Sequence, residues 1–213
     1  MLAVHHLGIS QSDRVVWICE ELGVPYELVR YERDPVTRLA PSEYKALHPA
    51  GTAPVIVDGN VVLGESAATL EYIARKHGGG RLFPGPDHPG FAEFLYWFHF
   101  ANGSLMASGL VELAVMMAGG GNDGDTLGAL LARSNAAYDM IEHRLGEAQW
   151  FAGDEFTAAD IMMAFPLTTM RLFVPRDISG YPNLLAYLAR LGSRETYRAA
   201  MAKADPDLPL NLS

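Results

Sequence analysis

Residues 52–66 read Thr52-Ala53-Pro54-Val55-Ile56-Val57-Asp58-Gly59-Asn60-Val61-Val62-Leu63-Gly64-Glu65-Ser66. Two short β-prone runs, 54–57 and 60–63, flank Asp58-Gly59, a strong hairpin signal. Pro54 cannot donate a ladder hydrogen bond, so a strand that opens on it needs an edge position or a special turn. From Ser66 the apolar spacing turns helical through Ala67, Leu70, Ile73 and Ala74, and Gly78-Gly79-Gly80 stops that helix. Upstream, 2–7 is β-prone, and Val15, Ile18, Cys19 and Leu22 follow a helical spacing that ends at Gly23. The stretch 26–31 alternates like a strand. The order β-α-β, an irregular segment, then β-β-α gives one mixed layer of sheet and helix.

Downstream the pattern changes. Residues 81–90 carry Pro84, Gly85, Pro86 and Pro89 and read as a linker. Strand signals then fade. The stretch 91–117 is apolar with interspersed polar residues, long enough for one long helix or two, and the glycine-rich 119–124 breaks it. The stretches 127–145, 158–172 and 184–191 predict at least three more helices, and the tail after Asp205, with Pro206 and Pro209, reads as extended. The expected organisation is therefore an α/β domain over 1–80, a linker over 81–90 and an all-helical domain over 91–213. In Phe156-Thr157-Ala158-Ala159-Asp160-Ile161 a capping box combines with a hydrophobic staple to start one helix.

Bulk properties narrow the function. With 213 residues, 49% of them hydrophobic and 19% charged, the chain is that of a folded protein with a sizeable core. A net charge of −9 argues against a general nucleic-acid or anionic-membrane binder, without excluding a local basic pocket. The first residues lack the pattern of a secretory signal, and no apolar run approaches the ~20 residues of a membrane helix. The single cysteine, Cys19, allows no internal disulfide or multi-cysteine metal site and suits a reducing cytoplasm. His5 and His6 read as strand residues; no third metal ligand has useful spacing.

Three separated elements could carry chemistry. Ser10-Gln11-Ser12-Asp13-Arg14 lies between the first strand and the first helix. Ser10 or Ser12 can cap that helix, or sit where its N-terminus favours a negative charge. Thr52-Ala53-Pro54 opens a strand; a cis Ala53-Pro54 bond would turn the Ala53 backbone outward, though only ~5–6% of X-Pro bonds are cis. Glu65-Ser66 offers an anion to an ammonium group and a hydroxyl with N–H groups to a carboxylate. The alternative reading is a plain helix cap beside a surface acid.

In this order and spacing, with the proline-rich linker and the capping box, these elements resemble the cytosolic-type glutathione transferases over the whole chain. The resemblance implies a thioredoxin-like domain followed by a helical bundle, and an enzyme whose cosubstrate is glutathione, with no further cofactor or metal. Ser10-Gln11-x-x-Arg14 is similar to the serine-type branch, in which Ser10 would stabilise the glutathione thiolate, with Ser12 as competing candidate. Ala53 would pair with the cysteinyl backbone, Pro54 being cis, and Glu65 and Ser66 would hold the γ-glutamyl end. Arg38 would meet the glycyl carboxylate. Thr52 stands where many relatives carry Lys, Arg or Gln. The second substrate would be a hydrophobic electrophile in a pocket between the domains lined by Leu7, His99, Phe100, Met106 and Met163, each of which could equally be ordinary core. Glutathione-dependent peroxide reduction, disulfide exchange or non-catalytic binding are the alternative activities. A cytoplasmic homodimer, joined through the helices starting at Ser66 and at Phe91, completes the expectation.

Overall fold

A computed structural model describes residues 1–118 and 125–213, so the glycine-rich break expected at 119–124 lies outside the described residues. The chain forms two compact units, Met1–Phe83 with Gly192–Leu210, and Pro84–Leu191 with Asn211–Ser213.

The first unit is built on β1 (Leu2–Leu7), β2 (Glu27–Tyr31), β3 (Val55–Asp58) and β4 (Val61–Gly64), in the sheet order β2-β1-β3-β4. β1 pairs parallel with β2 and antiparallel with β3, and β3 pairs antiparallel with β4. The parallel pair needs a crossover, and α1 (Asp13–Leu22) supplies it. Its Val15, Val16, Trp17, Ile18 and Cys19 are buried, and Gly23 ends it in the left-handed conformation at φ 65°. The 58–59 hairpin forms as expected, with Gly59 at φ 61°. A short α2 (Ser42–Lys45) fills the irregular segment, its Tyr44 packed with Leu7 and Val55. Helix α3 (Ser66–Lys76) buries Leu70, Ile73 and Ala74.

One helix of this unit escaped the sequence reading. α9 (Glu195–Ala204) packs on α1, where Trp17 and Tyr197 meet edge to face with ring centroids 4.8 Å apart. Arg194 and Thr196 bond Glu21, and Lys203 Nζ lies 2.7 Å from Glu20 Oε1. The division at 81–90, with everything beyond it helical domain, therefore misplaces Gly192–Leu210, which belong to the first unit. The cause is long-range packing, which no local pattern encodes.

The second unit holds α4 (Phe91–Phe100), a π-helical turn (Ala101–Met106), α5 (Ala107–Met117), α6 (Asp125–Glu147), α7 (Ala158–Leu167), a 3₁₀ turn (Thr169–Leu172) and most of α8 (Pro182–Ser193). The run Phe91–Met117 is one 27-residue helical stretch containing an 18-residue window with a mean hydropathy of 1.4, long and apolar enough by length and composition to cross a membrane. That corrects the expectation that no apolar run approaches such a length. The interspersed His99, Asn102 and Glu112 broke any strictly apolar run, but not the average. Within the unit its Phe94, Trp97, Phe98 and Leu105 are buried, and Trp97 meets Phe151 at a centroid distance of 5.0 Å. The helix expected over 158–172 stops being α at Leu167, one residue after Pro166, whose ring removes a donor and clashes with the preceding turn.

At the start of α7 the capping box forms. Thr157 Oγ1 accepts from the Ala159 N–H at 3.3 Å, and Asp160 Oδ2 accepts from the Thr157 N–H at 2.9 Å. Asp160 Oδ1 also accepts from the Phe151 N–H at 3.0 Å, tying the preceding loop to the helix. Burial pushes the Asp160 carboxyl up to about 6, against the pull of these hydrogen bonds. Asp160→Ala is expected to strand the Phe151 and Thr157 N–H groups and to cost roughly 2–4 kcal/mol of stability in urea denaturation. With the folded pKa above the unfolded one, the wild type gains stability as the pH falls from about 6 towards about 4. The gap between wild type and variant should widen over that window.

Candidate active site

Strand register brings the three candidate elements to one end of the sheet. His5 pairs with Val55, and Val55 pairs with Gly64. Two residues on from His5, β1 gives way to the loop carrying Ser10. One residue before Val55 stands Pro54, and one residue after Gly64 comes Glu65. The Ala53-Pro54 bond is cis, as the family resemblance implies against the base rate. Ala53 packs beside the cluster of Leu7, Tyr44 and Val55, while Thr52 is exposed.

The two serines differ in what they have left to offer. Ser12 Oγ is fully buried and accepts from the Leu7 N–H at 3.1 Å; it also lies 2.9 Å from His6 Nδ1 and 2.7 Å from Ser10 Oγ. Ser10 keeps 6% of its surface and donates to the Leu7 carbonyl at 2.6 Å. Neither is a conventional side-chain cap: Ser12 has helical backbone angles and makes no cap bond to α1.

The loop presenting Ser10 is held under strain. Ile9 has φ 50°, which for a β-branched residue costs about 1–3 kcal/mol. Its N–H donates to Asp205 Oδ1 at 3.0 Å, and its carbonyl accepts from Arg33 Nη2 at 3.3 Å. Arg33 Nε also donates to the Gly8 carbonyl at 2.8 Å. Gly8, Ile9, Arg30, Arg33, Arg38 and Asp205 help to line a cavity of about 210 Å³ beside this loop. Arg38 is exposed there, its carbonyl accepting from Arg33 Nη1 at 3.0 Å.

At α3, Ser66 is joined to the serine loop. Ser66 Oγ lies 3.3 Å from Gln11 Oε1 and from Arg14 Nη1, and Arg14 Nη1 donates to Gln11 Oε1 at 2.5 Å. Glu65 is exposed with φ 66°, a third positive-φ non-glycine residue in the site after Ile9 and Arg38. Beneath the loop, burial pushes the Asp13 carboxyl up to about 7, an effect that Arg14 and then His6 oppose. Burial likewise lowers Arg14 to about 10. Cys19 lies buried in α1 with its thiol pushed up to about 12 by burial, so it offers no thiolate for chemistry.

The residues proposed for an electrophile pocket divide. Leu7 is 3% exposed in the core of the first unit. Met106 is 3% exposed in a cluster with Phe165, Met170 and Val174, and Met163 is fully buried. For these three the structure favours the core reading over the lining one, because close packing leaves them almost no surface. Phe100 is nearly buried, and His99 is exposed on α4. His6 reads in sequence only as a strand residue, and neither Arg33 nor Asp205 stands out there as part of a site. A signal existed for His6: it shares the inward register of β1 with Leu2 and Val4, so a polar ring there needs a buried partner. Nothing local points to Asp205, 199 residues away in sequence from His6 (205 − 6).

Residues 10–76 match the glutathione S-transferase N-terminal domain, and residues 122–190 match the C-terminal domain. Glutathione S-transferase 3 of Schizosaccharomyces pombe is 34% identical over 96% of this chain and 88% of its own. A crystal structure of a glutathione S-transferase from Actinobacillus pleuropneumoniae superimposes with a TM-score of 0.87 at 30% identity, covering 100% of this chain and 99% of the other. A theta class enzyme from Xanthomonas axonopodis pv. citri, solved with glutathione bound, shares the fold at TM-score 0.70 and 24% identity, over 93% of this chain and 96% of its own. With both domains matched and a relative this similar along nearly its full length, the chain belongs to the glutathione S-transferase family.

Proposed function

We propose that the chain uses Ser10 to stabilise the glutathione thiolate and joins it to a hydrophobic electrophile. The observation carrying this reading is the convergence of Ser10, the cis Ala53-Pro54 turn and Ser66 at one sheet end. An extended tripeptide laid there would pair with the Ala53 backbone and meet Ser66 with its γ-glutamyl carboxylate. Ser10, not Ser12, is the activating hydroxyl in this reading, because Ser12 is fully enclosed by Leu7, His6 and Ser10. Glutathione serves as cosubstrate without a further cofactor, in a cytoplasmic detoxifying enzyme. A homodimer would bury exposed apolar side chains such as Val61, Val62, Leu95 and Tyr96.

The magnitudes set what the serine has to do. A free thiol of pKa ~8.5 is only about 3% thiolate at pH 7. A drop of roughly two units makes most of it thiolate and corresponds to ~2.7 kcal/mol, within reach of a charge-assisted hydrogen bond and a helix N-terminus. Nucleophilicity falls with pKa at a slope of ~0.4–0.5, so ionisation alone gains a several-fold rate at most. Positioning of the electrophile supplies the rest.

Ser10→Ala should raise the pKa of bound glutathione by roughly 1–2 units and lower kcat, with KM for glutathione within about twofold. Ultraviolet titration of the thiolate and steady-state assays with a chloronitrobenzene measure both. Unchanged turnover would move the role to Ser12 or to backbone N–H groups. Ser12→Ala should act on the fold as well, stranding the Leu7 N–H at about 1–3 kcal/mol in chemical denaturation. Retention on immobilised glutathione with no activity towards a chloronitrobenzene or an organic hydroperoxide would contradict an enzymatic role.

A further inference from the structure

Behind Ser10 a file of polar groups runs inward. Ser10 Oγ lies 2.7 Å from Ser12 Oγ, which lies 2.9 Å from His6 Nδ1, and His6 Nε2 lies 3.2 Å from Asp205 Oδ2. His6 and Ser12 are almost wholly enclosed, and Asp205 retains 15% of its side-chain surface. The approach of Asp205 to the buried His6 Nε2 is a charge contact whose angle falls outside that of a hydrogen bond. The other oxygen of the same carboxylate holds the strained Ile9 N–H. The role proposed above for Ser10 uses none of these groups beyond Ser10 itself.

Counting donors shows what the file can do. An acceptor at Asp205 requires the proton on His6 Nε2. Ser12 Oγ has two lone pairs, and the Leu7 N–H already takes one. If His6 Nδ1 is bare, Ser12 donates to it and the Ser10 hydroxyl turns inward, to Ser12 or to the Leu7 carbonyl. If His6 Nδ1 also carries a proton, both Ser12 lone pairs are filled and the Ser12 proton goes to Ser10 at 2.7 Å rather than to the more distant Leu7 carbonyl at 3.5 Å. Ser10 is then an acceptor on its Ser12 side, and its own proton goes either to the Leu7 carbonyl at 2.6 Å or, when glutathione is bound, outward to the sulfur. The charged groups facing His6 and Asp205 are Asp13 from α1 and Arg30 from β2, with Arg14 paired to Asp13. Although burial opposes it, the contact and charge of His6 hold the Asp205 carboxyl below its ordinary value, so Asp205 faces His6 as a carboxylate.

We propose that His6 and Asp205 are positioning residues for thiol activation: they orient the hydroxyl file so that Ser10 donates outward to the glutathione sulfur, while Asp205 clamps the Ile9 backbone that presents it. This rests on the reading of Ser10 as the activating group. It also makes the segment after α9 part of the active-site apparatus, although it lies far along the chain from the serine. No bond is made or broken in the file; only hydrogen-bond direction changes.

The test compares His6→Gln, His6→Asn and Asp205→Asn with the wild type and with Ser10→Ala, using full-length protein and glutathione itself as probe. A glutamine places its amide near the Nε2 position and leaves Ser12 without a donor, whereas an asparagine places a donor near Nδ1. Asp205→Asn keeps an acceptor for Ile9 while removing the charge beside His6. The expected result is a bound-thiol pKa raised about tenfold in affinity for the proton in His6→Gln and Asp205→Asn, and a kcat pH profile displaced to higher pH. Glutathione KM should change by less than about threefold, and His6→Asn should recover part of the loss. A purely structural role would lower stability but leave the titration and the pH profile of the folded enzyme in place. The proposal is overturned if Asp205→Asn and His6→Gln bind glutathione with the wild-type thiol pKa. If Ser10→Ala also leaves that pKa unmoved, the assignment of Ser10 fails as well; if Ser10→Ala raises it alone, only the file is refuted.

Discussion

Everything in the site depends on the antiparallel pairing that places β3 between β1 and β4. With His5 opposite Val55 and Val55 opposite Gly64, the ends of three chain segments are fixed side by side. A one-residue slip would turn each side chain to the opposite face of the sheet and take Val55 away from its packing with Leu7 and Tyr44. The register is therefore set by the same apolar burial that stabilises the unit. The chemistry inherits its geometry from the core at no separate cost in ordering.

The site adds local strain to that rigid base. Ile9 and Glu65 both hold left-handed backbone conformations, one on each side of the cis Ala53-Pro54 turn. Such residues persist only where the surroundings over-determine them. At Ile9 the surroundings are identifiable: Asp205 grips the N–H and Arg33 grips the carbonyl. At α3, Arg14 and Gln11 link Ser66 to the same loop, so Ser66 and the segment carrying Ser10 belong to one hydrogen-bonded frame.

Sequence legibility follows the range of the interaction. The Asp58-Gly59 hairpin, the Gly23 stop and the capping box of Thr157 and Asp160 are written in a few adjacent residues, and all form. The order and spacing of the serine loop, Pro54 and Ser66 were also readable, because a motif preserves spacing even when its parts meet in three dimensions. What could not be read were partners supplied from afar. Asp205 looks like a surface acid opening a tail, and α9 has too short and too weakly apolar a face to announce that it packs on α1. Leu7, Met106 and Met163, for which core packing was the alternative already open, show why local pattern leaves such a choice undecided: an apolar residue looks the same in sequence whether it lines a cavity or fills a core. In the long helix 91–117 polar residues interrupt the apolar runs, yet an 18-residue window within it keeps a mean hydropathy of 1.4.

The thermodynamics keep the serine's part modest and the frame's part large. Ionising a thiol needs one well-placed donor, and a donor is useful only if its proton points at the sulfur. That places the weight of the account on where the sulfur of bound glutathione lies relative to Ser10. A crystal structure of the protein with glutathione measures this directly. The account predicts the sulfur within hydrogen-bond reach of Ser10 Oγ, the cysteinyl backbone paired with Ala53 and the γ-glutamyl carboxylate on Ser66. Glutathione bound in that frame with its sulfur turned away from Ser10 would contradict it.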